Sequence, residues 1–318
     1  FIEHRHKQAA GNYAWVLRDG LSADTTQHCY GLAFVLLAQA HALRIGVSEA
    51  RAQLDTTFAL MERLFWREQD GLYADEATAD GVVAPYRGQN ANMHTCEALI
   101  AAFEATGAPH FLHRAERLAH NIAQRQAAHA NGWIWEHYNA DWTPDWQYNL
   151  NDPANMFRPW GFQPGHMTEW AKLLLLLERH APHLQGDSAW LLPRAEALFN
   201  AAVGYAWDHT HGGFVYGVAP DMSVCDSDKY FWVQAETLAT AALLGQRTGD
   251  VRYWDWYDKT WRYSWDHMID HQYGGWHRIL RNDNHRYGLA RPPHGKTDFY
   301  HPMGAILESL TANGAAVA

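Results

Sequence analysis

Three histidines open apolar segments of this chain, each with a polar neighbour at short spacing. His94 precedes Glu97 in YRGQNANMHTCEA, His166 precedes Glu169 in QPGHMTEW, and His301 follows Lys296 and Asp298 in GKTDFYHPMG. Arg87, Asn90 and Asn92 lead into the first. A fourth segment, YFWVQAE, carries Trp232, Gln234 and Glu236, and Tyr30 opens an earlier one. Histidine titrates near pH 6.5, so it can take and return a proton at neutral pH. Moving a proton between adjacent carbons of a sugar needs that ability. One base removes the proton alpha to a carbonyl, polar groups stabilise the enediolate, and a second group returns the proton. Carboxylates beside the imidazoles would orient them and raise their basicity. Arg87 would stabilise negative charge on the enediolate oxygen.

Each residue also has a plainer reading. A lone histidine at a helix start is more often a hydrogen-bonded structural residue; three in register with a repeat shift the balance. His94–Glu97 and His166–Glu169 are i,i+3 pairs and could be local helix contacts. Glu/His pairs at this spacing also build di-metal sites in bundles. Here the order is reversed and no third segment repeats it, so no metal or cofactor is expected. Lys296 reads as a solvated loop charge.

The elements that must position these residues are announced by a recurring phrase. GNYAWV from Gly11, DGLYAD from Asp70, NGWIWEHY from Asn131, GGFVYGV from Gly212 and GGWHRIL from Gly274 each set aromatic and β-branched residues after a Gly or Asn turn. The copies recur every 60 residues or so, with one gap of about 80, which marks a repeat architecture. Each interval holds an apolar, buried-type helix and an amphipathic one. The buried candidates are 28–46, 90–106, 164–180, 229–247 and about 300–310; the amphipathic ones are 49–66, 110–125, 188–205 and 250–267. In 110–125 the stripe is Leu112, Ala115, Leu118, Ala119 and Ile122. An alternating array of this kind can close as an (α/α) barrel or continue as a solenoid; about ten helices and a truncated start fit the six-pair form, an (α/α)6 barrel with short β-hairpins at one rim. The predicted class is therefore all-α, a single domain over 1–318. The opening FIEHRHKQ reads as the tail of a helix already under way, a barrel lacking its first helices. Residues that open inner helices would then gather at one mouth. The long segment 136–163, rich in Pro, Asn and Asp, carries Trp142, Trp146, Phe157, Trp160 and Phe162. Its aromatics suit a lid or a structural plug equally.

Composition narrows the class. The chain has 318 residues, a formal net charge of −10, and 47% hydrophobic residues. It is globular, without the basic footprint of a nucleic-acid binder. No apolar run reaches the roughly 18–20 residues that span a bilayer; the longest, Leu173–Leu177, is flanked by Lys172 and Glu178. Three widely spaced cysteines argue for a reducing compartment, hence a cytoplasmic location. The 21 His and 16 Trp suit a sugar pocket, since indole offers a flat apolar face with a polar edge.

RGQNANMH, PGHMTEW and DFYHPMG together resemble the three histidine motifs of the N-acylglucosamine 2-epimerase superfamily, nearest its aldose–ketose isomerase (mannose isomerase) branch, along essentially the whole chain. The resemblance implies an (α/α)6 barrel and metal-independent, cofactor-free catalysis on an opened hexose through a cis-enediolate. It implies that His166 and His301 move the proton at C1/C2, and that His94 assists ring opening or holds the substrate. Arg87, Glu169 and Glu236 would bind hydroxyls or tune the histidines, and Tyr30 would line the pocket; Asn92 and Trp232, which open their segments beside them, are further substrate-binding candidates. A monosaccharide is the expected partner, with no nucleic acid or membrane, and a homo-oligomer is allowed.

Other classes remain. A C2 epimerase needs bases on opposite faces of C2, which spacing does not reveal. A glycoside hydrolase needs two carboxylates across the scissile bond, for which Glu169, Glu236 and Asp298 are candidates; it would leave three histidines without a role. A non-catalytic sugar-binding protein would keep the aromatics and tolerate loss of the histidines.

Overall fold

The computed structural model describes residues 1–153, 155, 157–181, 189–288 and 299–314. Lys296 and Asp298 lie outside the described residues. Ten α-helices are found among those described: α1 (Ile2–Arg5), α2 (Cys29–Arg44), α3 (Ala50–Leu64), α4 (Gln89–Thr106), α5 (Pro109–His120), α6 (Pro164–His180), α7 (Leu191–Ala206), α8 (Phe231–Thr248), α9 (Val251–Tyr263) and α10 (Tyr300–Ala312). The protein is mostly helical, as its sequence predicts. Two compact units are distinguished: Phe1–Asn131 with Glu136–Trp146, and Gly132–Trp135 with Gln147–Ala318. The first holds α1–α5 and the second α6–α10.

All five turn phrases bend the chain back. Trp66–Arg67 pairs antiparallel with Leu72–Tyr73 across Gly71. Lys7 bridges Tyr13, Trp207 bridges Phe214, and Ile269 bridges Trp276. Asn131 and Gly132 both have positive φ. At Gly213 a side chain is excluded twice over: φ is +78°, and a Cβ would collide with the Tyr263 ring.

Short strands then link one repeat to the next. Gln27–His28 pairs with Glu76–Ala77, Arg87–Gly88 with His137–Tyr138, and Lys229–Tyr230 with Ile279–Leu280. In each case the strand that runs into an inner helix pairs with the strand after the next turn. The starts of α2, α4 and α8 are thus anchored by backbone bonds, and with them the residues that open these helices.

A buried amide reinforces the anchor. Asn92 Oδ1 accepts from Tyr73 N–H at 2.8 Å, and its Nδ2 donates to the carbonyls of Tyr73 and Gly88, both at 3.0 Å. Gln234 makes the same pattern with Phe214 N–H, Phe214 C=O and Tyr230 C=O. Gln27 holds Tyr13 N–H and C=O. A turn strand whose polar groups would otherwise be buried unpaired is satisfied by an amide side chain at or just before the start of the next inner helix.

The inner helices α4, α6 and α8 are buried on nearly every side, as their apolar composition predicts. In α6 only Leu176, Arg179 and His180 escape burial. Two of the buried candidates differ. α2 leaves Tyr30, Ala38 and His41 exposed, although its sequence is apolar nearly all round. α10 packs on α8 through Pro302, Ala305, Ser309 and Ala312 and exposes Met303, Ile306, Leu307 and Leu310. Apolar composition predicts how much of a helix can be buried; the neighbours decide how much is.

The outer stripes are borne out by α5, where Leu112, Ala115, Leu118 and Ala119 are buried. Both α5 and α9 widen at their ends into π-turns, Asn121–Gln126 and Ser264–Met268, just before the following turn phrase. In the second unit, Phe231, Leu238, Tyr263, Met268, Trp276 and Leu280 form a core cluster against which Trp207 and Trp232 pack. In the long segment, Trp142 and Phe162 are buried while Phe157 is exposed. All three cysteines are free. No helix among the described residues is long and apolar enough to cross a membrane.

Candidate active site

Three helices of the second unit bring buried polar side chains together. α6 presents His166, Glu169 and Lys172 at intervals of three residues, so all lie on one face. Pro164 starts this helix, where its missing N–H costs nothing. α8 contributes Trp232 and, one turn later, Glu236; α10 contributes His301. Threonines lock α6 against α8: Thr240 Oγ1 donates to the Thr168 carbonyl at 2.7 Å, and Thr237 and Thr168 hydroxyls meet at 3.4 Å. Helices held this closely fix the spacing of the polar groups between them.

Glu236 is the hub. It is 2% exposed, its Oε1 lies 2.7 Å from His301 Nδ1, and its Oε2 lies 2.6 Å from the Lys172 ammonium. Burial alone pushes a carboxyl up; here the Lys172 charge and the His301 hydrogen bond outweigh it and hold Glu236 below its ordinary value. An ionised carboxylate can only accept, so Nδ1 of His301 carries a proton, and in the neutral ring the lone pair is at Nε2. That is the tautomer a base needs.

Trp232 supports both imidazoles. Its ring lies 4.9 Å from that of His166 and 5.6 Å from that of His301, tilted by 33° and 32°. Tyr216 meets Trp232 edge-on at 5.9 Å. A Cβ on Gly165 would strike the far edge of the Trp232 ring, so α6 can approach only because that position has no side chain. His166 is 7% exposed and Glu169 1%. One ligand atom each from Glu169, Glu236 and His301 falls within 4.8 Å of the others, a set that could hold a metal ion. The ammonium of Lys172 already brings positive charge to this set.

The first unit places His94 differently. Its ring meets Tyr30 edge-on at 5.1 Å and Phe34 at 4.9 Å, both from α2. Glu97 Oε2 stands 3.7 Å from His94 Nδ1, the i,i+3 pairing expected from sequence. Arg87 is 7% exposed, and its Nη1 donates to the carbonyls of Ala84 and Tyr86 at 2.6 and 2.8 Å. Burial pulls its pKa down and the charge of Asp75 partly restores it. Asp75 itself accepts from Gly88 N–H at 2.6 Å.

The structure therefore brings together His166, Glu169, Trp232, Glu236 and His301 in one unit, and Tyr30 and His94 in the other. It gives Asn92 a structural duty: fully buried, with its amide bonded to the hairpin backbone, it clamps the turn. Sequence reasoning missed Lys172, which stood only as a flank of an apolar run; a lysine three residues after Glu169 on an all-buried helix was the available signal. It also missed two buried pairs near Arg87: Gln89 Nε2 to Glu136 at 2.8 Å, and the Tyr86 hydroxyl with His137 Nδ1 at 2.8 Å. Glu136 and His137 were hidden inside a turn phrase.

Comparison with known proteins identifies the family. A family profile described as N-acylglucosamine 2-epimerase (GlcNAc 2-epimerase) matches residues 1–305. The chain is 53% identical over 312 residues to a D-mannose isomerase of Marinomonas mediterranea, covering 98% of this chain and 78% of that one. It is 41% identical over 293 residues to a D-mannose isomerase of Thermobifida fusca, covering 90% and 70%. A crystal structure of a D-mannose isomerase superposes with a TM-score of 0.93 at 52% identity, covering 98% of this chain and 78% of that chain.

Proposed function

The chain belongs to the N-acylglucosamine 2-epimerase family, and from that premise we propose that it is an isomerase interconverting an aldose and a ketose of the D-mannose/D-fructose type. The observation that carries the chemistry is the pair of imidazoles, His166 and His301, resting on one indole ring, with the second held as a base by an ionised buried carboxylate. The similarity to D-mannose isomerases at 53% and 41% identity supports the choice of sugar. The (α/α)6 barrel expected from the repeat is part of the same reading; it is supported by the alternation of buried and amphipathic helices and by the strands that join each repeat to the next.

In this account the substrate is the open-chain aldose. A neutral imidazole removes the proton from C2, and the electrons of that bond shift towards the C1 carbonyl, giving a cis-enediolate. Return of a proton to C1, with the C2 oxygen becoming the carbonyl, yields the ketose. Return to C2 on the same face regenerates the starting sugar. One imidazole can serve both carbons because they are adjacent and the enediolate is planar. The other exchanges protons with the oxygens O1 and O2. His166 and His301 fill these two parts. Trp232 presents an apolar surface on which the sugar's C–H face can rest. Glu169 lies near Glu236 and His301 and would bind a hydroxyl. His94 would assist ring opening or hold the substrate, with Tyr30 lining its surroundings. No step calls for a metal or a cofactor.

The test is conversion of D-mannose by the protein, followed by the isotope at C1. Fructose supports the reading. Glucose without fructose would indicate the epimerase instead.

A further inference from the structure

We propose that Lys172 is a positioning residue for the reaction: a built-in counter-cation that keeps Glu236 anionic, so that Glu236 in turn holds His301 with its proton on Nδ1. This rests on the functional reading above. The argument is geometric. Lys172, 4% exposed, sits in a helix buried on nearly every side. A buried ammonium is costly unless paired, and the structure places it 2.6 Å from Glu236 Oε2, while Glu236 Oε1 faces His301 Nδ1 at 2.7 Å. The three groups come from α6, α8 and α10 and form a line: ammonium, carboxylate, imidazole.

The charges around Glu236 make the lysine necessary. From α6 come Lys172 and Glu169, the second carboxylate within 4.8 Å of both Glu236 and His301. His166, also on α6, lies across Trp232. From α10 comes His301. The charged residues of α9, namely Arg252, Asp255, Asp258, Lys259 and Arg262, are exposed. Lys172 is the cation the structure places against Glu236; without it the carboxylates of Glu236 and Glu169 would face each other as like charges in a dry space, which favours protonation of one. Burial already pushes Glu236 upward; the ammonium is the largest influence opposing it. A protonated Glu236 would no longer be an obligate acceptor, and the tautomer of His301 would no longer be fixed.

Three variants test this: Lys172→Met, Lys172→Arg, and Lys172→Met combined with Glu236→Gln. Lys172→Met should move the acid limb of the kcat/KM profile up by about one pH unit or more, with KM changed little, and Lys172→Arg should leave the limb in place. A limb that stays in place in Lys172→Met, or a loss equal at every pH, overturns the proposal. Should Lys172→Met fail to fold, Lys172→Arg decides alone: a displaced limb there overturns the proposal and an unmoved one supports it. A readout without turnover separates this proposal from the functional reading. Infrared difference spectra between about pH 8 and pH 5 should show a protonated buried carboxyl in Lys172→Met that is absent from the wild type and from the double variant. If the wild type turns over no sugar, the functional reading falls and the infrared result still stands; if the band is missing from Lys172→Met, the proposal falls.

Discussion

The carboxylate of Glu236 lies 2.7 Å from the Nδ1 nitrogen of His301, across two helices that are 65 residues apart in sequence. An anionic acceptor at that nitrogen selects the neutral tautomer that has its lone pair at Nε2 and fixes the plane of the ring. The same logic gives catalytic imidazoles their orientation wherever a buried carboxylate stands behind them.

From this pairing, His301→Ala and His166→Ala should each lower turnover by about 10²-fold or more with the fold retained. Glu236→Gln should lower kcat by a similar order, since an amide can present either N–H or C=O to Nδ1 and no longer selects one tautomer. Steady-state kinetics with near-ultraviolet circular dichroism would check both. Near-normal kcat in either histidine variant would remove that residue from the mechanism.

Gly165→Ala tests the support beneath the imidazoles. Its methyl group would drive into the Trp232 ring. Overpacking of this kind costs about 1–3 kcal/mol, and the displaced ring would carry both histidines with it. The expected result is a lower melting temperature together with a fall in kcat larger than any change in KM. Wild-type kcat would show that Trp232 does not position the bases.

Asn92→Ala separates the turn clamp from a substrate contact. Removing the amide leaves a buried N–H and two carbonyls short of a partner, at about 1–3 kcal/mol for each unsatisfied group. Gln234→Ala should do the same at the equivalent turn. Stability should fall in both while KM, measured well below the melting transition, is unchanged for Asn92→Ala. A raised KM with normal stability would restore Asn92 to the substrate.

These results bear on what the sequence could reveal. The turn phrases, the alternation of helices and most helix limits were legible because they rest on local signals: glycines with positive φ, apolar periodicity, a proline at a helix start. α6 occupies the predicted span, 164–180. The histidine motifs were legible because three unusual residues kept step with the repeat. The amide clamps were not, although they too keep step: Gln27, Asn92 and Gln234 reach back 14, 19 and 20 residues to the turn strand. Their role depends on a hairpin folding onto the next helix, which a reading segment by segment does not bring together. Lys172 was passed over for the same reason, because its meaning comes from a carboxylate on another helix.

A structural ion pair gives a pH prediction away from the site. Asp208 is pushed up by burial, but the Lys229 hydrogen bond and the N–H groups of His211 and Thr210 pull harder and lower it to about 2. Lys229 is fully buried and also reaches Asn282 and Asn284. A depressed carboxylate stabilises the fold above its unfolded pKa, and the contribution is lost as pH falls through the folded one. The stability difference between wild type and Asp208→Asn should therefore be full above about pH 4 and shrink between about pH 4 and 2. Thermal melts across that range would check it; a constant difference would show that the charge of Asp208 plays no part.

The most direct test of the whole account is incubation of the protein with D-mannose in D2O in the presence of EDTA, with the products followed by NMR. The account predicts D-fructose, carrying deuterium at C1 or the hydrogen transferred from C2, at a rate unaffected by the chelator. Glucose without fructose, conversion abolished by EDTA, or no conversion at all would contradict it.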